Sequence, residues 1–161
     1  MSAFSLVYTR ALPIFATDNA NIPYPTVNQI GVTTSSVGPN TLTDSAATFI
    51  TNGVAPGDIV YNLTDGLVAT VVTVLSQTQL TLNANITAAV SKNYIVYQAS
   101  SQTTIGNYGC YLYIGGAGNV NVTTIGDDSV TFAGIPAGTI LPVQVRRLRA
   151  GTTATNIIAL W

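Results

Sequence analysis

The sequence predicts an all-β protein: an antiparallel β-sandwich or barrel with a second small β-domain inserted into it. Three observations predict this class. Short runs of alternating apolar and polar residues recur in the carboxy-terminal third, separated by glycine and proline turns. Thr, Val, Ile and Tyr suit a pleated surface, and 24 of the 161 residues are Thr. Glu is absent and only 7% of residues are charged, so the side chains that usually clothe helices are scarce.

Residues 1–25 begin with the apolar run Phe4 to Tyr8 and pass through Ile14-Phe15 to a polar loop at Thr17-Asp18-Asn19. Ile22-Pro23-Tyr24-Pro25 then enforces an extended path, because each proline fixes its own φ and pushes its predecessor out of the helical region. The segment reads either as an arm laid across a neighbouring subunit or as an edge strand with a loop.

Residues 26–106 have a different texture and read as the inserted small β-domain, with residues 1–25 and 107–161 forming the other. A Ser/Thr-rich lead, Thr33 to Ser36, and the Gly38-Pro39-Asn40 turn precede a compact set of strands. These are expected around Phe49-Ile50, Ile59 to Leu63, Leu67 to Leu75, Gln79 to Leu82 and Tyr94 to Gln98. Pro56-Gly57-Asp58 closes one turn, and Asp65-Gly66 suits a tight hairpin turn with positive φ. Asp44 is a good N-cap followed by Ala46-Ala47, which allows one helical turn up to Thr51. Ala99 to Thr104 is small, polar and aperiodic, and reads as a linker.

Residues 107–161 read as about five strands. Cys110, Leu112 and Ile114 alternate with Tyr111 and Tyr113. Gly115-Gly116-Ala117-Gly118-Asn119 is expected as a hairpin connection, after which Val120 and Val122 resume. Asp127-Asp128 turns the chain into Val130 and Phe132, Gly134-Ile135-Pro136-Ala137-Gly138 makes the next corner, and Ile140 to Leu148 follows. Thr155 to Trp161 forms the last strand after the Ala150-Gly151 break. No period repeats across the chain.

The composition bounds the function. A chain that is 47% hydrophobic and so poor in charge suits a component of an assembly better than a freely diffusing monomer. An obligate homo-oligomer is therefore expected. A formal net charge of −1 supplies no field for nucleic acid or an anionic membrane, and neither is expected as a partner. The amino terminus lacks the basic start and unbroken apolar run of a secretory signal, and no stretch approaches the roughly 18 apolar residues of a membrane span. The chain reads as a protein made in a cytosol.

Enzymatic chemistry has few candidates. General acid-base and nucleophilic catalysis need a base near neutrality, and without His or Glu only Asp18, Asp44, Asp58, Asp65, Asp127 and Asp128 remain. Most lie among Gly, Pro or Asn, where Asp builds turns through its own side chain. Asp127-Asp128 is a weak signal for a calcium ion held together with carbonyls from neighbouring turns, turn formation being the favoured reading, and one Cys without His does not make a zinc site. Gly115 to Asn119 lacks the Lys-Ser/Thr ending of a phosphate loop. Asn62-Leu63-Thr64, Asn85-Ile86-Thr87 and Asn121-Val122-Thr123 match the glycosylation triplet as any Asn- and Thr-rich chain would. Cys110 has no partner for a disulfide and reads as a buried, inert thiol. The chain is thus expected not to be an enzyme, with no catalytic residue, cofactor or metal.

The candidate site residues are those of an interface. Arg146, Arg147 and Arg149 hold three of the five basic residues and suit inter-subunit pairing with Asp or contact with a carbonyl-rich rim, against the alternative of a solvated face. Tyr111 and Tyr113, with Tyr108 and the terminal Trp161, add large rigid surfaces of the kind enriched in interface cores, although a buried sheet face would use them as well.

The carboxy-terminal motifs also carry a family resemblance. Val120-Asn121-Val122-Thr123-Thr124, Asp128-Ser129-Val130-Thr131-Phe132, Ile135-Pro136-Ala137-Gly138-Thr139, Leu141-Pro142-Val143-Gln144-Val145 with Arg146-Arg147, and Gly151 to Trp161 resemble, in the same order, the small β-domain of phage and gene-transfer-agent head-spike-base proteins. The resemblance covers about the last 50 residues, with a weaker echo in Ala16 to Pro25. It implies a virion component on the outside of the particle, with no active site to transfer. The segment from Thr26 to Gly106 departs from the family and is similar to small β-modules of phage structural proteins. The expectation is a trimeric bacteriophage capsid decoration or cement protein, made in the host cytoplasm and located in the virion. Its partner would be the major capsid protein or another virion protein, with one lobe seated on the shell and the other projecting. The alternative is a tail or adhesion component with a carbohydrate-binding β-module, in which Tyr side chains stack on sugars.

Overall fold

In the computed structural model, which describes residues 7–35, 38–99 and 109–161, every regular element is a β-strand. In chain order they are β1 (Ala11–Pro13), β2 (Val27–Val32), β3 (Thr41–Thr43), β4 (Ile59–Asn62), β5 (Leu67–Ser76) and β6 (Gln79–Leu82). There follow β7 (Asn93–Tyr97), β8 (Cys110–Gly116), β9 (Gly118–Thr124), β10 (Ser129–Ile135), β11 (Thr139–Leu148) and β12 (Thr155–Leu160). They form two antiparallel sheets: sheet I in the order β1-β12-β8-β11-β9-β10, and sheet II in the order β2-β7-β4-β5-β6-β3. All strands of sheet II come from residues 27–97, and those of sheet I from 11–13 and 110–160.

Sheet I is strongly curled, and the cause lies in β8 and β9. Only Ala117 separates them, yet they do not pair with each other; β11 pairs with both. Val145 lies opposite Cys110 on one side and Thr124 on the other, so the stretch from 110 to 124 bends until both its ends flank one residue. The expected hairpin at Gly115 to Asn119 is therefore a corner within a continuing strand. The glycines are there for close approach. A Cβ on Gly118 would lie 2.5 Å from the Ala154 backbone nitrogen, and one on Gly115 would lie 2.6 Å from the Asn156 carbonyl oxygen. Glycine is the residue that lets two backbones come this near.

Sheet II follows the expected strands from Ile59 to Tyr97, with three differences. Phe49-Ile50 is not a strand: Phe49 is fully buried while Ile50 is exposed, and both lie in a turn held by the Gln77 carbonyl and side-chain oxygens. The helical turn after Asp44 is likewise not a helix, although the Asp44 carboxylate does accept the Ala46 N–H at 2.9 Å. The β4–β5 connection is a four-residue turn over 63–66, not a two-residue one, and only Gly66 in it has positive φ. Buried Asn62 sets that turn by accepting the Thr64 and Asp65 N–H groups. Two strands that the sequence did not signal, β2 and β3, complete the sheet. A bridge between Ser35 and Thr43 brings its two ends together.

The two sheets share a wall. On β4, Ile59 and Tyr61 point into an apolar cluster with Leu112, Ile114, Val145 and Leu148 of sheet I, while Val60 points into a second cluster inside sheet II with Leu42, Phe49, Leu80 and Tyr94. All four residues of β4 are consequently buried. Leu12, Ile14, Ala20 and Ile22 of the amino-terminal segment sit in the shared cluster, and β1 pairs with β12. Of the two readings of this segment, the edge strand with a loop is the one found among residues 7–25; residues 1–6 lie outside the described residues. Each fully buried Leu, Ile or Val contributes roughly 1.5–3 kcal/mol. Tyr61 adds aromatic contacts to Tyr97 at 5.1 Å and to Phe15 at 5.5 Å. Ala99 donates its N–H to Asp58, but the rest of the expected linker and Tyr108 lie outside the described residues.

Candidate interaction face

The alternation of β8 sets the geometry of the face. Cys110, Leu112 and Ile114 point inward and are buried, so Tyr111 and Tyr113 stand on the outer side, half-buried. Register then supplies their neighbours, since residues opposite one another in an antiparallel pair share a face. Tyr113 lies between Ile140 of β11 and Ile158 of β12; Leu160 lies beside Tyr111; and Pro13 and Ala11 of β1 continue past Ile158 and Leu160. Tyr8 meets Tyr111 edge-on, with ring centroids 5.9 Å apart. Tyr8, Tyr111, Ile140 and Pro142 line an open hollow of about 470 Å³, and none of these side chains carries a charge. The Tyr8 hydroxyl is buried and has no hydrogen-bond partner among the described residues.

The structure does not gather the other candidate residues here. Trp161 has the parity of buried Ile157 and Ala159, packs against the shared cluster, and meets the Tyr24 ring edge-on at 5.5 Å. The Arg10 guanidinium lies over the Tyr24 ring, 5.2 Å from its centre. The arginines are engaged within the chain. Arg146 pairs with Asp127, and Arg149 donates from Nε to Asp18 at 2.5 Å. Arg147 donates to the Asn21 side chain at 3.0 Å and to the Asp18 carbonyl at 3.3 Å. The cluster thus fastens the 17–22 loop and the 126–128 turn onto β11. Partly exposed ion pairs of this kind contribute about 0–1 kcal/mol each, so their effect is to position loops more than to add stability.

The titratable groups are also committed to structure. Asp58, buried, accepts from Asn28 Nδ2 and the Ala55 and Ala99 N–H groups. Asp65 pairs with Lys92 at 2.9 Å, and the hydrogen bonds from Lys92 and then Asn62 hold its carboxyl below the usual range. Asp128 bonds to Thr124 through its carboxylate and its own N–H. Among the described residues no three of His, Cys, Asp and Glu lie together as metal ligands do. Cys110 is buried against the Val145 carbonyl, and burial pushes its thiol well above the normal range, which keeps it protonated and unreactive.

No protein-family model, curated protein or solved structure matches the chain.

The weight therefore falls on the geometry of the outer face itself. Tyr8, Pro13, Ile140, Pro142, Ile158 and Leu160 complete that face; the aliphatic ones were missed because residues were selected as aromatic or basic by type, and Tyr8 because it lies more than a hundred positions from Tyr111 and only the fold brings the two rings together. The period-two parity of β11 and β12 was the signal that would have found Ile140, Ile158 and Leu160.

Proposed function

We propose that the protein is a bacteriophage virion component, a head-spike-base-like decoration or cement protein that binds the outside of the capsid shell. The major capsid protein or another virion protein would be its partner. The observation that carries this reading is the outer side of sheet I, where Tyr111 and Tyr113 lie among Ile140, Ile158, Leu160 and Pro13 without an ionic group. Rigid aromatic and aliphatic side chains free of charge are the composition of interface cores. The low overall charge and the motif order of the last strands support the same reading, and the role it assigns is structural, not catalytic. The test is mass spectrometry of purified particles together with a Tyr113→Lys variant. The expected result is the chain at a copy number that scales with the shell protein, and loss of the variant from particles. A stable monomer missing from virions overturns it.

One observation favours a second reading, a carbohydrate-binding module of a tail or adhesion component. The hollow between Tyr8 and Tyr111 presents aromatic rings at an open surface, as sugar-stacking sites do. A glycan array discriminates: binding that Tyr111→Ala abolishes favours this reading, and silence across the array favours the first.

A further inference from the structure

The connection between β3 and β4 carries the one Asn-Gly pair of the chain. Of the 13 Asn residues only Asn52 is followed by Gly, and every other precedes a residue whose side chain crowds the next backbone nitrogen. Asn52 is exposed, and a Cβ built on Gly53 would meet nothing within 4 Å, so the peptide between them is unshielded. Two hydrogen bonds hold it in place. The Gly53 N–H donates to the Ile50 carbonyl at 3.1 Å, and Asn52 Nδ2 donates to Gln29 Oε1 of β2 at 2.7 Å. Both partners of the second bond reach solvent, where a local opening costs little. The same turn anchors the core of sheet II. The Val54 N–H closes it on the Phe49 carbonyl at 2.9 Å with Gly53 at a φ of +75°, and the Phe49 side chain is fully buried with Leu42, Leu80 and Tyr94.

We propose that Asn52-Gly53 is a site of spontaneous covalent modification, at which Asn52 converts to isoaspartate and aspartate, and that Gln29 governs the rate. In the first step the Gly53 backbone nitrogen gives its proton to solvent base and bonds to Asn52 Cγ. The Cγ–Nδ2 bond breaks, and Nδ2 takes up a proton and leaves as ammonia. Water then opens the cyclic imide. Attack at Cγ restores the ordinary main chain with an aspartate side chain, and attack at the main-chain carbonyl leaves isoaspartate, whose main chain runs through Cβ and Cγ. Water enters, ammonia departs, and nothing is oxidised or reduced. Either product sets a carboxylate where an amide donor faced Gln29 Oε1. Isoaspartate also lengthens the main chain by a methylene, which moves the Gly53 and Val54 N–H groups off their acceptors and loosens the seat of Phe49. Asp65-Gly66 shares the following glycine, but its carboxylate is a poorer electrophile than an amide and is held by Lys92 and Asn62. The inference is independent of what the protein binds.

The test is incubation of the full chain in mildly alkaline buffer, followed by peptide mapping by mass spectrometry, with isoaspartate counted by enzymatic methylation. Asn52 should convert ahead of every other Asn. Gln29→Ala frees the Asn52 amide and should raise the rate about 2- to 10-fold, the factor one hydrogen bond is worth. Gln29→Glu keeps an acceptor for Nδ2 and should stay at or below the wild-type rate. Asn52→Gln closes a larger ring far more slowly and should remain unconverted. The aged wild type should therefore have a lower urea midpoint than fresh protein, and aged Asn52→Gln should not. The proposal is overturned if another Asn converts first, if Gln29→Ala ages no faster than the wild type, or if a chain carrying isoaspartate at position 52 keeps the fresh midpoint.

Discussion

The Tyr94 hydroxyl donates a 2.7 Å hydrogen bond to the Asp44 carboxylate inside sheet II, where both residues are buried. The pair joins β7 to the turn that follows β3, and Gly31 of β2 makes room for it. A Cβ on Gly31 would lie 2.6 Å from the Tyr94 oxygen and would also collide with the Asp44 carboxylate. Tyr94→Phe leaves that buried carboxylate with one donor fewer and should cost about 1–3 kcal/mol in urea denaturation. Gly31→Ala should cost at least as much, because it displaces both partners.

Alkaline pH should unfold the protein through its tyrosines. Burial pushes Tyr61, Tyr94 and Tyr97 above their ordinary value of 10.0, and in Tyr94 the bond to Asp44 adds to the effect. The unfolded chain then loses these protons first. The stability they contribute is complete below about pH 10 and declines as pH rises through the folded values. The urea midpoint should be flat from neutrality to about pH 9 and fall steeply above 10. Tyr94→Phe should make the fall shallower.

The two classes of glycine in sheet I should respond differently to alanine. At Gly118 the added methyl meets the Ala154 backbone, which cannot move aside, and the φ of +157° adds its own strain, so the expected loss is about 2–5 kcal/mol. At Gly138 there is open space and a φ of +84°, so only the backbone strain of about 1–2 kcal/mol applies. Thermal melts of the two variants should rank Gly118→Ala as the less stable, and the reverse order would refute the close-approach account of the corner.

Asn62 organises the β4–β5 turn from a fully buried position, donating to the Ile86 carbonyl at 2.6 Å and to Asp65 at 2.8 Å while accepting two backbone N–H groups. Asn62→Ala orphans these partners together and should cost about 2–4 kcal/mol by chemical denaturation. Lys92→Ala removes only a partly exposed ion-pair partner of Asp65 and should leave the midpoint nearly unchanged.

The legible parts of the fold were those that local chemistry decides. Every strand from Cys110 onward was readable because alternation and turn residues delimit it. The meaning of Gly115 to Gly118 was not readable, since glycine serves both tight turns and close packing, and the backbone that crowds it comes from residues 153–156. Strands β2 and β3 were missed because they lie at the edges of sheet II. Val27 to Val32 shows no buried alternate residues to give a period-two signal, and Thr41–Thr43 is too short to show one. Of the candidate site, the parity of Tyr111 and Tyr113 was legible. The engagement of the arginines was not, because Asp18 lies more than a hundred positions from Arg149 and only the fold brings them together.

Because β4 lines both apolar clusters, residues 26–106 cannot be treated as a cassette. Transplanted onto another scaffold, the segment would carry Ile59, Tyr61, Val68 and Tyr97 with nothing to lie against, and the remainder would be left with a hole of matching shape. Evolution can part the two halves only by rebuilding the party wall between them.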